Sequence, residues 1–208
     1  QVDGSGAAYV SGFTASPDFP VTAGAYDTTY NGNEDDYVAK LSPDGTTLVF
    51  STFLGGTSYE ERAHLAVDGG GAVFVSGFTA SADFPVTAGA YDPTFNGDRD
   101  VFVAKLDATG ASLVYSTFIG GTLSEHGEGI AVDAAGQAHA IGYTDSSDFP
   151  VTPGAYDVSY NGLGDVFVSV LDENGTTLLY STFLGGSQGD VGWAITVNAA
   201  AGTATLTA

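Results

Sequence analysis

The segment Ser51-Thr-Phe-Leu-Gly-Gly56 returns as Ser116-Thr-Phe-Ile-Gly-Gly121 and again as Ser181-Thr-Phe-Leu-Gly-Gly186, a step of 65 residues each time. Asp18-Phe-Pro-Val-Thr22 reappears at Asp83 and Asp148 with the same step, as does Gly24-Ala-Tyr-Asp27 at Gly89 and Gly154. No insertion or deletion interrupts this register between Val2 and Val197. A fixed period of this length marks a repeat architecture, in which one supersecondary unit buries its apolar surface against copies of itself. The boundaries read as units of about 1–62, 63–127 and 128–192, with a partial fourth over 193–208, all in one repeat domain.

Each unit reads as four strands. In the second they are expected at His64–Val67, Ala72–Phe78, Val101–Leu106 and Ser112–Ile119, windows enriched in Val, Phe, Tyr and Thr. Asp68-Gly-Gly-Gly71 and Asp107-Ala-Thr-Gly110 are the turns between the first and last pairs, because Asp and Gly supply the angles such turns need. No helical period is present. The third and fourth strands carry apolar residues on both faces, Phe102, Ala104 and Leu106 against Val101 and Val103. A sheet with one wet face would alternate more cleanly, so each sheet is expected to lie between two others. The expected fold is all-β, a β-propeller-like array of four-stranded antiparallel blades with about three blades visible.

The chain holds 25 Asp and Glu against 4 Lys and Arg, a formal net charge of −21. Nucleic-acid affinity comes from Lys and Arg displacing counterions, so nucleic acid is excluded as a partner. Anionic headgroups would repel the same surface, and no apolar run nears the ~20 residues a membrane helix needs, so membrane insertion is not expected. Cysteine is absent, which excludes disulfides and Cys-based zinc sites. The chain starts at Gln1 without a signal peptide, as expected of a processed product or a piece of something longer.

The run Ile130-Ala-Val-Asp133, Gly136, Asp148-Phe-Pro150, Gly154-Ala-Tyr156, Asp165-Val-Phe-Val168 and Tyr180-Ser-Thr-Phe-Leu-Gly-Gly186 resembles the bacterial and archaeal β-propeller repeat called SBBP. The resemblance spans essentially the whole chain three times over. It implies a secreted or surface-attached protein, often a large multidomain one, and carries little about function. Val170 stands where the other units have Lys40 and Lys105, so that lysine has no role required in every blade. Propellers typically close with about 4–8 blades, more than these three periods supply. Further blades are therefore expected from other chains or further sequence, and strand addition between copies would supply them.

Candidate sites keep the same register. The long connection between the second and third strands carries Phe19, Phe84 and Phe149, expected to plug the gap between neighbouring blades, with Tyr26, Tyr91 and Tyr156 packing beside them. The alternative reading of this connection is a repeated binding rim. Asp35, Asp100 and Asp165 precede the third strand; they read as turn caps, with calcium ligation the alternative, and no other cofactor is expected. His64, His126 and His139 occupy non-equivalent registers, and His126, between Glu125 and Glu128, reads as a solvated loop residue. No catalytic constellation stands out. Trp193 replaces Ala63 and Glu128 and reads as a capping or interface residue; Asn174-Gly-Thr176 is a glycosylation sequon in a turn.

The function expected first is a non-catalytic extracellular or cell-surface structural repeat module for adhesion or assembly. The alternative is a propeller that binds glycan or surface protein, assisted by calcium, and the third reading is a polysaccharide-active enzyme.

Overall fold

The windows rich in β-branched and aromatic residues are strands. The computed structural model describes residues 1–198 and 203–207, and these contain thirteen strands and no helix. Strands β1 (Ala8–Thr14), β2 (Asp35–Leu41) and β3 (Leu48–Leu54) form a three-stranded antiparallel sheet in that order. Strands β4 (Glu60–Val67), β5 (Val73–Thr79), β6 (Asp100–Leu106) and β7 (Leu113–Ile119) form a four-stranded antiparallel sheet. So do β8 (Glu125–Val132), β9 (Ala138–Thr144), β10 (Asp165–Leu171) and β11 (Leu178–Leu184). Among the described residues β12 (Ala194–Asn198) pairs with β13 (Thr203–Thr207) alone. Among the described residues no sheet closes into a barrel.

β4 begins at Glu60, four residues before the expected start at His64. Its polar opening, Glu60-Glu-Arg62, has the composition of a loop. It is held instead by the Glu60 N–H donating to Glu34 O (3.0 Å) and by pairing of Glu61 with Phe78, before a bulge that ends at His64. Bulges of this kind re-aim side chains without ending a strand.

Burial on both faces makes the sheets stack. One face of the middle sheet (Val73, Val75, Phe102, Leu106, Phe118) joins Val38, Phe50 and Leu54 of the first sheet in a single cluster. Its other face (Phe74, Val101, Val103, Tyr115, Ile119) joins Ala138, Ala140, Phe167 and Phe183 of the third. Ile141, Val166 and Val168 then cluster with Ile195 of β12. Each apolar side chain removed from water this way contributes about 1.5–3 kcal/mol, which is why stacking stabilises units that could not bury both faces alone.

The 20-residue connection from Ala80 to Arg99 lies along the outer strand of its own sheet. Thr87 N–H donates to Ser116 O (3.1 Å), Ser116 N–H to Thr87 Oγ1 (3.0 Å), and Phe118 N–H to Asp92 O (3.0 Å). The same bonds recur at Thr22, Ser51, Asp27 and Phe53, and at Thr152, Ser181, Asp157 and Phe183. Exposed strand edges invite unwanted pairing, and this loop satisfies part of the edge from within. The following unit's last hairpin turn then lies on the preceding sheet: Tyr26 N–H donates to Gly110 O (2.8 Å) and Tyr91 N–H to Gly175 O (2.9 Å).

Candidate functional site

The most regular polar feature joins successive sheets. Asp35 opens β2, and its carboxylate accepts Asn31 N–H (2.9 Å) on Oδ2 and Gly32 N–H (3.1 Å) on Oδ1. Asp100 does the same with Asn96 (2.9 Å) and Gly97 (3.2 Å). From the next unit, Glu60 accepts Gly56 N–H (2.9 Å) and the Thr79 hydroxyl (2.6 Å), and Glu125 accepts Gly121 N–H (2.9 Å) and the Thr144 hydroxyl (2.7 Å). The two carboxyl groups of each junction flank one glycine. A methyl on Gly120 would stand 2.5 Å from Asp100 Oδ1 and 2.9 Å from Glu125 Oε2.

All four carboxyls are buried. Burial pushes Asp100 up to about 7, against the N–H bond from Asn96 and helped by Glu125. Burial likewise raises Asp35, Glu60 and Glu125, opposed by their own hydrogen bonds. Asp35 and Asp100 therefore sit in the turn-capping geometry, with N–H donors aimed at both oxygens. A calcium ion at those oxygens would face the same donors. Asp165 caps only through Oδ2, from Asn161 N–H (2.9 Å), and its buried Oδ1 has no hydrogen-bond partner. Among the described residues no three His, Asp or Glu side chains converge as a metal centre requires.

One buried acid breaks the pattern. Asp36 is 0 % exposed, and neither carboxylate oxygen has a hydrogen bond of normal geometry, the Ala63 backbone N–H being the one donor that acts on it; the equivalent residues are Val101 and Val166. Burial, reinforced by nearby Glu60, raises it well above the ordinary carboxylate range. An uncompensated buried charge is unfavourable, which favours the neutral form of the group.

Phe84 and Phe149 are buried, each in a cluster drawn from two successive sheets, and each lies against its own sheet: Phe84 on Phe102 at 4.5 Å, Phe149 on Phe167 at 4.7 Å between ring centroids. Phe19 lies tilted against Tyr37 at 4.2 Å but stays partly exposed, with no preceding sheet over it. Tyr26 and Tyr91 pack against the clusters that hold Phe84 and Phe149. Tyr26 and Tyr91 reach forward to the following unit, and Tyr156, which meets no such hairpin turn, is 80 % exposed. Asn174 is exposed in the turn between β10 and β11.

His126 is not a solvated loop residue. It lies in β8, 8 % exposed, because β8 starts at Glu125 and turns His126 inward against Phe78 (4.6 Å, edge-on) and Tyr143 (4.6 Å, stacked at 11°). Arg99 lies over Phe78 at 5.1 Å, and its Nη1 is 3.5 Å from His126 Nε2. The Arg62 guanidinium pairs with buried Glu128, whose other oxygen is 3.9 Å from His64 Nε2. Burial, then Arg62 and Arg99, holds His126 down to about 4, so its ring is neutral at pH 7. Burial raises Glu128, with Arg62 opposing.

Arg62 has φ 65°, the one non-glycine in the left-handed region among the described residues, and the other units carry Gly127 and Gly192 at its register. That conformation costs about 1–2 kcal/mol, a strain that points toward a functional role. Every polar member of this cluster departs from the repeat. Arg99 replaces Glu34 and Gly164; His126 replaces Glu61 and Val191; Glu128 replaces Ala63 and Trp193; Tyr143 replaces Phe13 and Phe78. Comparing the three units column by column marks these positions, whereas reading each residue against its local neighbours does not. No protein-family model matches the chain, and no curated protein matches it.

Proposed function

We propose that the chain is a non-catalytic structural repeat module of an extracellular or cell-surface protein, its sheets being successive blades of a propeller-like array that extends by adding further units. The observation that carries this reading is that burial at one register depends on whether a neighbouring unit is present. Leu54 and Ile119 are 0 % exposed beneath the following sheet, and their equivalent Leu184 is 37 % exposed. Trp193, at the register of buried Ala63 and Glu128, is 60 % exposed, and Val10, at the register of Val75 and Ala140, which are buried against a preceding sheet, is 41 % exposed.

Both outer faces thus carry the residues that interior junctions bury, and both fit a further copy of the unit. A cavity of about 560 Å³ between Leu184, Val191 and Trp193 lies on one of them. β1 supports strand addition, its first-strand partner being the single bridge Val2 to Ala8. The SBBP-like motifs, the acidic surface and the accessible Asn174 sequon support an extracellular setting.

Native mass across dilution tests the reading, with the emission of Trp193, the sole tryptophan, as a second readout. The expected result is a concentration-dependent series of multiples of 21.0 kDa with a blue-shifted emission as Trp193 is covered. A fixed 21.0 kDa monomer with unchanged emission over a thousandfold concentration range would overturn assembly. A glycan- or protein-binding propeller would then be the better reading, and it would use registers at which the units differ.

A further inference from the structure

We infer that Arg99, backed by Phe78, His126 and Tyr143, binds a single carboxylate on a small, otherwise neutral ligand of the sugar-acid class. The inference stands apart from assembly, because the cluster lies at the junction between two complete sheets.

Four observations converge on it. First, the chain has only four basic side chains against 25 acids, and two of them, Arg62 and Arg99, meet here. Second, Arg62 is already neutralised by Glu128, whereas exposed Arg99 has no carboxylate within ion-pair distance among the described residues. Its nearest groups are a neutral imidazole and the Phe78 ring, so its fork of donors is available to an incoming carboxylate. Third, the platform is tied down. Glu125 N–H donates to Arg99 O (2.9 Å), a bridge pairs Arg99 with Ser124, and behind it His126 meets Phe78 edge-on and stacks on Tyr143. Fourth, the equivalent junction between the first two sheets carries Glu34 and Glu61 where this one carries Arg99 and His126. Charge is reversed at constant register, which packing does not require.

The ligand class is set by the surroundings. A net charge of −21 repels polyanions, so the ligand is small and bears one negative charge. One face of Tyr143 is covered by His126, stacked on it at 11°, so the partly exposed ring contributes its remaining surface and its hydroxyl, a combination that suits a pyranose ring carrying a carboxylate.

The test is an amide chemical-shift titration of the folded chain with glucuronate, glucose and acetate, each to about 50 mM, in low-salt buffer at pH 7. Saturable shifts at Arg99, His126 and Tyr143 are expected with glucuronate, with affinity at least about tenfold weaker for glucose and for acetate. Arg99→Glu should abolish binding, and Tyr143→Phe should weaken it several-fold. Both install residues that other units carry at these registers, Glu34 and Phe78, so both should keep the wild-type melting temperature. Should Arg99→Glu nevertheless fail to fold, Arg99→Gln gives the same readout. Absence of saturable shifts with glucuronate, or unchanged binding by the Arg99 variant, would overturn the site; acetate binding as tightly as glucuronate would overturn the sugar-acid assignment.

Discussion

Two glycines at one register allow the contact between sheets to be weighed with its own control. Gly45 and Gly110 both close the last hairpin turn of their units, and both have φ 69°. Replacing either by Ala places a side chain in the left-handed region, costing about 1–2 kcal/mol, offset by about 0.4–1 kcal/mol from a stiffer unfolded chain. The net loss from this source is about 1 kcal/mol, equal at the two sites. Their surroundings differ. A Cβ on Gly45 meets nothing within 4 Å, whereas one on Gly110 would lie 2.6 Å from Phe50 Cγ in the preceding sheet. Phe50 is 2 % exposed and packed against Tyr9, so its ring cannot swing into solvent. Overpacking of this kind costs about 1–3 kcal/mol, so Gly110→Ala should lose about 2–4 kcal/mol in all. Urea unfolding followed by circular dichroism measures both variants. A difference between them below about 0.5 kcal/mol would refute the claim that this turn is wedged against the neighbouring sheet.

Asp36→Val exchanges a buried carboxyl without a hydrogen bond of normal geometry for the residue at Val101 and Val166, and should stabilise the fold by about 1–3 kcal/mol in the same assay; a loss would mean that Asp36 has a stabilising partner. The buried carboxyls Asp35, Asp36, Glu60, Asp100 and Glu125 have folded pKa values above their unfolded ones, so their contribution is greatest at low pH and is lost as pH rises, for Asp100 between about 4 and about 7. His64 and His126 act oppositely, destabilising as pH falls below about 6.5, but the five carboxyls and the easing of self-repulsion outweigh them. The melting temperature should therefore climb from pH 8 to about 5; a flat or descending profile would contradict the raised carboxyls. Below about 4 it should drop as Asp83, Asp107 and Asp172, whose hydrogen bonds keep them low, lose their charge. Because backbone N–H groups already face both oxygens of Asp35 and Asp100, adding calcium or a chelator should leave the melting temperature unchanged. A calcium-dependent rise abolished by Asp165→Asn would place an ion at the free oxygen of Asp165.

The all-β class, the four-strand unit and the two-sided burial were legible in the chain, because a strict 65-residue period and strands apolar on both faces admit few other solutions. Phe84 and Phe149 announced themselves as repeated apolar residues in a long loop. The buried surroundings of Glu60 and Glu125 did not. Their chain neighbours are polar, and the glycine and threonine donors that hold them lie 4 and 19 positions away. Nor could the period say that Tyr91 reaches forward to the next unit while Tyr156 is left in water, since the two lie in near-identical loops and differ in whether a neighbouring turn covers them. The cluster at Arg62, Arg99, His126 and Glu128 depended most on tertiary structure. Its members lie up to 66 residues apart and meet because stacking brings one strand of each sheet against its neighbour. Local patterning reports which face of a strand an individual residue occupies; only the packing of one sheet on the next decides which side chains share that face.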